Sequence, residues 1–172
     1  KSQTSIKIGR IWPGIHHPDH PGLLILNTLV GGYFGSRLVQ QIREKKGYTY
    51  NIYSAYDNYR FASFFYIGCE SSHRKAGLAK AQIHQELDRL KHELVPDSEL
   101  RMIKNYLAGQ LSSQLDNALM VSDWLRQSLT EGSDWRGTSH LLEQLLSITP
   151  RDIQDLAQQY LDTKTLTSVI VG

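Results

Sequence analysis

The stretch SRLVQQIREKKGYTYNIYSAY, Ser36–Tyr56, decides how the chain folds. Its first half carries apolar residues at helical spacing, with Leu38, Val39 and Ile42 on one face. Ser36 suits the N-cap, because its hydroxyl can accept from a backbone N–H of the first turn. Lys45 and Lys46 fall in the last turn, where cations suit the negative end of the helix macrodipole. Gly47 then stands where a helix ends in the left-handed conformation. From Thr49 the period drops to two. Thr49–Asp57 reads as a strand with Tyr50, Ile52, Ser54 and Tyr56 on one face. A helix turned into a strand by one glycine predicts a unit in which helices and strands are interleaved.

The rest of the chain agrees. Upstream, Gln3–Trp12 has partial alternation through Ile6 and Ile8 and reads as a strand. Pro13–Gly22 holds three prolines and two glycines and reads as a loop. Leu23–Val30 is apolar nearly all round, and the Gly31-Gly32 that follows favours a helix over a strand. Downstream, Phe61–Cys69 reads as a second strand, joined to the first by a hairpin turn at Asp57-Asn58. From Arg74 the period is helical again, with Ala76, Ile83, Leu87, Leu90 and Leu94 on one stripe that Pro96 ends. Leu100, Ile103, Leu107 and Leu111 form a second stripe, continued less cleanly by Leu115, Leu119, Leu125 and Leu129. Glu131–Trp135 is a break, and Leu141, Leu142, Leu145 and Leu146 suggest a short helix. Thr149, Pro150 and Asp152 have the spacing of an N-cap, a first-turn proline and a capping box. Leu166–Val171 is a β-branched strand. The predicted order β-α-α-β-β-α-α-α-α-β implies an α+β sandwich: an antiparallel or mixed sheet with long helices packed on one face.

Composition bounds the function. The 172 residues suffice for one domain with its own core, and the 40% apolar and 21% charged content is that of a globular chain. A formal charge of +2 does not argue for a nucleic-acid partner, and Glu44 interrupts the basic run Arg43–Lys46. No apolar run approaches the roughly 20 residues of a membrane span. Cys69 stands alone, so no intrachain disulfide forms, and in its apolar run it reads as a small core residue. The chain starts with Lys and runs almost at once into a strand, so it is expected to be a piece of a longer protein whose targeting signal lies outside it.

Few residues offer chemistry. His16, His17, Asp19 and His20 crowd the proline-rich segment, but no His-x-x-Glu-His or His-Glu-x-x-His pattern occurs, and Pro18 and Pro21 argue against a regular helix there. The segment reads as an exposed polar loop, with an autonomous metal site on His16, His17 and His20 as a rival. There is no Gly-x-Ser-x-Gly elbow and no Gly-Lys-Ser/Thr phosphate loop, so Gly31, Gly32 and Gly35 read as a tight turn between helices.

The block LNTLVGGYFGSRLVQQIREKKGYTYNIYSAY resembles the pitrilysin/insulinase family of zinc peptidases, which includes the mitochondrial processing peptidase subunits. It matches the second half of that family's paired-domain unit: an apolar helix, a Gly-Gly turn, SRL, then IREK-x-G and a tyrosine-bearing strand. VPDSELRMIKNYLAGQL and ITPRDIQDLAQQYL resemble later helices of the same half. The resemblance covers nearly the whole chain and implies a single non-catalytic domain, 1–172, with a ferredoxin-like-derived fold of the LuxS/processing-peptidase type. It implies no cofactor in this chain, zinc on a homologous partner half in the same gene or a separate subunit, and a peptide substrate held in a chamber between the halves. It also implies that Arg43 and Tyr50, seven positions apart, make auxiliary transition-state or substrate contacts beside the partner's zinc. A guanidinium fork and a phenol can both donate to a developing oxyanion. The residues alone leave another reading open, in which Arg43 pairs with a nearby carboxylate and Tyr50 is half-buried. A structural or assembly subunit of the same fold, without a peptidase partner, is the alternative function. A bacterial origin is expected, with periplasm and cytoplasm both open.

Overall fold

The computed structural model describes residues 3–113, 116–131 and 138–172. Four strands make one antiparallel sheet in the order β2-β3-β1-β4: β1 Gln3–Trp12, β2 Thr49–Asn58, β3 Ser63–Ser72 and β4 Thr167–Val171. Helix α1 spans His20–Asn27, α2 Ala76–His92, α3 Asp97–Ser113, α4 Ala118–Glu131, α5 Thr138–Ser147 and α6 Pro150–Tyr160. Two π-helical segments, Thr28–Gly32 and Val39–Lys45, lie between α1 and β2.

Alternation builds the sheet. Thr4, Ile6, Ile8 and Trp12 of β1 point to the inner face, as do Ser63, Phe65, Ile67, Cys69 and Ser71 of β3. Each buried Ile contributes roughly 1.5–3 kcal/mol relative to exposure. α1, α2 and α6 supply Leu23, Leu26, Ile83, Leu87, Ile153 and Ala157 to the same core. Trp12 is the aromatic hub. It stacks on Phe65 at 4.1 Å between ring centroids and meets Tyr56 and Tyr160 edge-on at 5.1 and 6.1 Å. The expected α+β architecture is the one observed. The capping box is in place: Thr149 Oγ1 accepts from Asp152 N–H at 3.2 Å, and Asp152 Oδ2 accepts from Thr149 N–H at 2.7 Å.

Several details depart from the sequence expectation. α1 begins at His20, inside the expected loop, because a proline in the first helical turn loses no hydrogen bond there. The hairpin turn is Tyr59–Ala62, closed by Tyr59 N–H to Ala62 O at 3.0 Å, while Asp57 and Asn58 pair with Phe64 and Ser63. α2 stops at His92, and the extended backbone at Glu93 carries Leu94 into solvent while Val95 takes the buried place. The second apolar stripe is two helices, α3 and α4, which adds one helix to the expected order; Leu119 and Leu129 of α4 are exposed. Leu115 and most of the Glu131–Trp135 break lie outside the described residues.

The segment predicted as α-helix from Ser36 is mostly π-helical. Gly31 lies in the preceding π segment, and a Cβ there would sit 2.4 Å from Ser54 N and 2.9 Å from Ser54 Oγ. Ser54 Oγ in turn donates to Asn27 O at 2.9 Å. Gly31 therefore serves a close helix-to-strand approach, rather than the tight turn between helices expected. Gly31→Ala should cost about 1–3 kcal/mol by overpacking, read as a lower urea midpoint at unchanged slope.

Under the core lies a buried polar chain. Tyr56 Oη donates to Pro13 O at 2.5 Å, and His20 Nδ1 sits 3.1 Å from the same oxygen. Burial, aided by the charge of His16, pushes the His20 pKa down to about 4. The fold thus holds a neutral ring, whereas the unfolded chain takes up a proton near pH 6.5. Stability is complete above about pH 6.5 and falls by about 3 kcal/mol as pH drops to about 4. Urea midpoints taken across that window should fall steeply for the native chain and flatten in His20→Gln; an equal slope in both would rule the assignment out.

Candidate functional site

The turn between the second π segment and β2 is built from three fixed points. Gly47 has φ +59°, the left-handed conformation that glycine adopts without penalty. Its N–H bonds Arg43 O at 3.1 Å, and Tyr48 N–H reaches back to Ile42 O at 2.9 Å. The second link spans one residue more than an α-helical cap of this kind, as the wider π turn requires. β3 and the start of α2 hold the far side. Ser71 Oγ donates to Tyr48 O at 2.5 Å, and Lys75 Nζ donates to Gly47 O at 2.8 Å.

β2 opens with a bulge. Thr49 pairs with Ser71 and Asn51 with Glu70, so Tyr50 is the extra residue. The Thr49 hydroxyl faces inward, accepts from Asn51 N–H at 3.1 Å and reaches the Glu70 carbonyl. Tyr50 is pushed outward and is 92% exposed. It does not share the inner face of Ile52, Ser54 and Tyr56 as the alternation predicts, nor is it the half-buried residue of the rival reading. Its phenol makes no hydrogen bond among the described residues.

Arg43 is in the last turn of the π segment, with its side chain 41% exposed. Its Nε is 3.4 Å from Glu44 Oε1, and its guanidinium lies over the Phe34 ring, 5.4 Å from the centroid. Arg43 and Tyr50 thus stand on opposite arms of one pinned turn, but no direct bond joins them. Lys46, in contrast, is engaged by Gln82 Oε1 and the Tyr48 ring, and belongs to the scaffold. The bulge and the Phe34 contact escaped sequence reasoning. The GYFGS loop held the only signal for the second, an aromatic flanked by residues that suit turns.

The histidine-rich segment is no metal centre. His20 is buried against Tyr56, while His16 and His17 are exposed ahead of the helix. Among the described residues no group of three His, Cys, Asp or Glu could hold a metal ion, so those residues offer no donor set that fits zinc. Cys69 is buried, and burial pushes its thiol pKa up, which suits a core residue and not a nucleophile. No helix of the described residues is long and apolar enough to cross a membrane.

Comparison with known proteins adds the following. The family model described as the peptidase M16 inactive domain matches residues 1–107. A protein named an uncharacterized zinc protease in Mycobacterium leprae is 26% identical over 162 residues, covering 94% of this chain and 36% of its own length. The chain therefore spans about a third of the curated relatives it matches. Among solved structures, a protease from Helicobacter pylori superposes over 100% of this chain and 42% of its own, with a TM-score of 0.91 at 22% identity. The peptidase M16 inactive domain from Pseudomonas fluorescens superposes over 99% of this chain and 41% of its own, with a TM-score of 0.86 at 22% identity. These two likenesses speak to fold.

The rigidity of the turn is open to test. A Cβ on Gly47 would meet nothing within 4 Å, so Gly47→Ala isolates the backbone cost. It should destabilise by about 1–2 kcal/mol, with Gly47→Asn costing less, in urea unfolding.

Proposed function

The chain belongs to the M16 peptidases as their inactive domain, and on that premise we propose that residues 1–172 act as one non-catalytic, substrate-binding domain of a zinc metallopeptidase. It forms half of a peptide chamber and works with a homologous zinc-bearing half, in the same chain or a separate subunit. Zinc on that half supplies the activated water for amide hydrolysis. This chain supplies donors. The Arg43 guanidinium and the Tyr50 phenol donate to the peptide carbonyl as negative charge gathers on its oxygen.

The observation that carries the reading is the exposure of both side chains on the two arms of a pinned turn, with the Tyr50 phenol unbonded among the described residues. A bulge that turns a tyrosine outward from a strand start is costly to keep for packing alone, and bulges are over-represented beside active sites. The Arg43–Glu44 contact is between sequence neighbours at the surface and contributes little, so a substrate carbonyl can compete for the guanidinium.

Mixing this chain with the zinc-bearing half should give hydrolysis of a quenched-fluorescence peptide that neither gives alone. Arg43→Ala should lower kcat about 100-fold and Tyr50→Phe about tenfold, each with a smaller change in KM. Native kinetics in both variants would overturn the assignment of Arg43 and Tyr50, whereas no hydrolysis with the zinc-bearing half present would favour a structural or assembly subunit.

A further inference from the structure

Phe34 is a large apolar side chain with 66% of its surface exposed. Its neighbours are tied down. Tyr33 packs its ring against Tyr106 of α3, at 5.4 Å between centroids, and closes over Gly35, where a Cβ would sit 2.6 Å from the Tyr33 ring. Ser36 N–H bonds Tyr33 O at 3.1 Å, closing the loop. Arg37 makes a two-pronged pair with Glu99 of α3, at 3.0 and 2.8 Å. Loop residues on both sides of Phe34 are therefore anchored to α3, while Phe34 is held out to solvent. The ring contact recorded for it is the Arg43 guanidinium, 5.4 Å from its centroid.

We propose that Phe34 is a positioning residue for Arg43: its ring holds the guanidinium and leaves the N–H fork open for a peptide carbonyl. The inference rests on the role proposed above for Arg43. The physical argument lies in which part of the arginine each partner consumes. A carboxylate in a two-pronged pair occupies the N–H donors, as Glu99 does with Arg37. An aromatic ring attracts the cation through its quadrupole and takes no donor. Arg37 precedes the second π segment and Arg43 lies in its last turn, and the two are treated oppositely. Arg37 is locked by its donors and is structural, whereas Arg43 rests on a ring and meets a carboxylate only at Nε, 3.4 Å from Glu44 Oε1, which leaves its two terminal amino groups for a partner. An exposed arginine beside a rigid turn would otherwise spread over many rotamers, and ordering it on binding costs side-chain entropy. A ring in place before binding lowers that cost.

Two measurements test this together. In the first, the ¹H–¹⁵N signal of Arg43 Nε is followed in the isolated domain. The ring current of Phe34 should displace it, and Phe34→Leu should return it towards the position of an ordinary exposed arginine. In the second, peptide hydrolysis is measured with the zinc-bearing half present. Phe34→Leu should lower kcat about two- to fivefold with KM nearly unchanged, and Phe34→Trp should restore it, since tryptophan is the best cation–π partner. In an Arg43→Ala background, Phe34→Leu should cost nothing further. An Arg43 signal that ignores Phe34→Leu overturns the positioning role even if activity falls. Independent, multiplicative losses from the two substitutions overturn it as well, since Phe34 would then act on the substrate itself. If the signal moves but Arg43→Ala is fully active, the catalytic reading of Arg43 fails, and this inference fails with it.

Discussion

The left-handed turn at Gly47 is the constraint on which the site depends. It ends a π-helical segment, reverses the chain and starts β2 in a register that leaves one residue over. The backbone link from Tyr48 to Ile42 closes the turn from the helical side, and Ser71 and Lys75 hold its carbonyls from the sheet side. Because carbonyls are pinned on both flanks, the turn cannot relax by rotating a peptide unit without losing a hydrogen bond. Rigidity here is local and polar, and it does not require the turn to be buried. A surface feature can thus hold its side-chain origins fixed while the side chains themselves meet solvent.

The sheet has two unlike faces. Helices bury the inner one, and the buried residues alternate as an antiparallel sheet with one packed face requires. The outer face makes its own contacts: Lys7 Nζ donates to Tyr53 Oη at 2.7 Å and lies over the rings of Tyr53 and Tyr66. Gly68 leaves room for the Tyr53 ring, whose carbons would be 2.7 Å from a Cβ there. Interior polarity is likewise arranged in closed chains, as in His20, Tyr56 and the Pro13 carbonyl. Burial there pushes the Tyr56 pKa up and the His20 pKa down, so both groups are held neutral. Each therefore stays in its neutral form near neutral pH.

The sequence conveyed whatever depends on local pattern. Period-two burial in β1, the proline break before α3, the Thr149 capping box and the glycine at the end of the helical segment each follow from residues close together in the chain. What it hid depends on distant partners. An extra residue per turn leaves the spacing of Leu38, Val39 and Ile42 compatible with either helix, so the π geometry emerges only from packing. The bulge needs Glu70 and Ser71 opposite it, some twenty residues on. His20 read as part of an exposed polar loop because its buried partner, Tyr56, lies 36 positions away. The expectation for Arg43 came from motif resemblance, whereas its contact with the Phe34 ring gave no such signal, since a stacking contact imposes no residue spacing.

On the proposed reading, a domain can carry polar groups suited to catalysis that act only beside a zinc-bearing half. At the surface, an effective dielectric near that of water leaves a guanidinium and a phenol worth little to a developing charge. Their value rises when a second body excludes water, because the same donors then act across a lower dielectric with no reorganisation left to make. What such a domain must supply beforehand is geometry, held without the shielding a core provides. A turn pinned through its carbonyls, a bulge fixed by a buried threonine and a cation resting on a ring all meet that need. Each constrains position while leaving the Tyr50 phenol and the terminal amino groups of Arg43 unspent. The division between Arg37 and Arg43 follows the same logic: the arginine whose donors are satisfied fastens the loop to α3, and the one whose donors remain can answer to a partner.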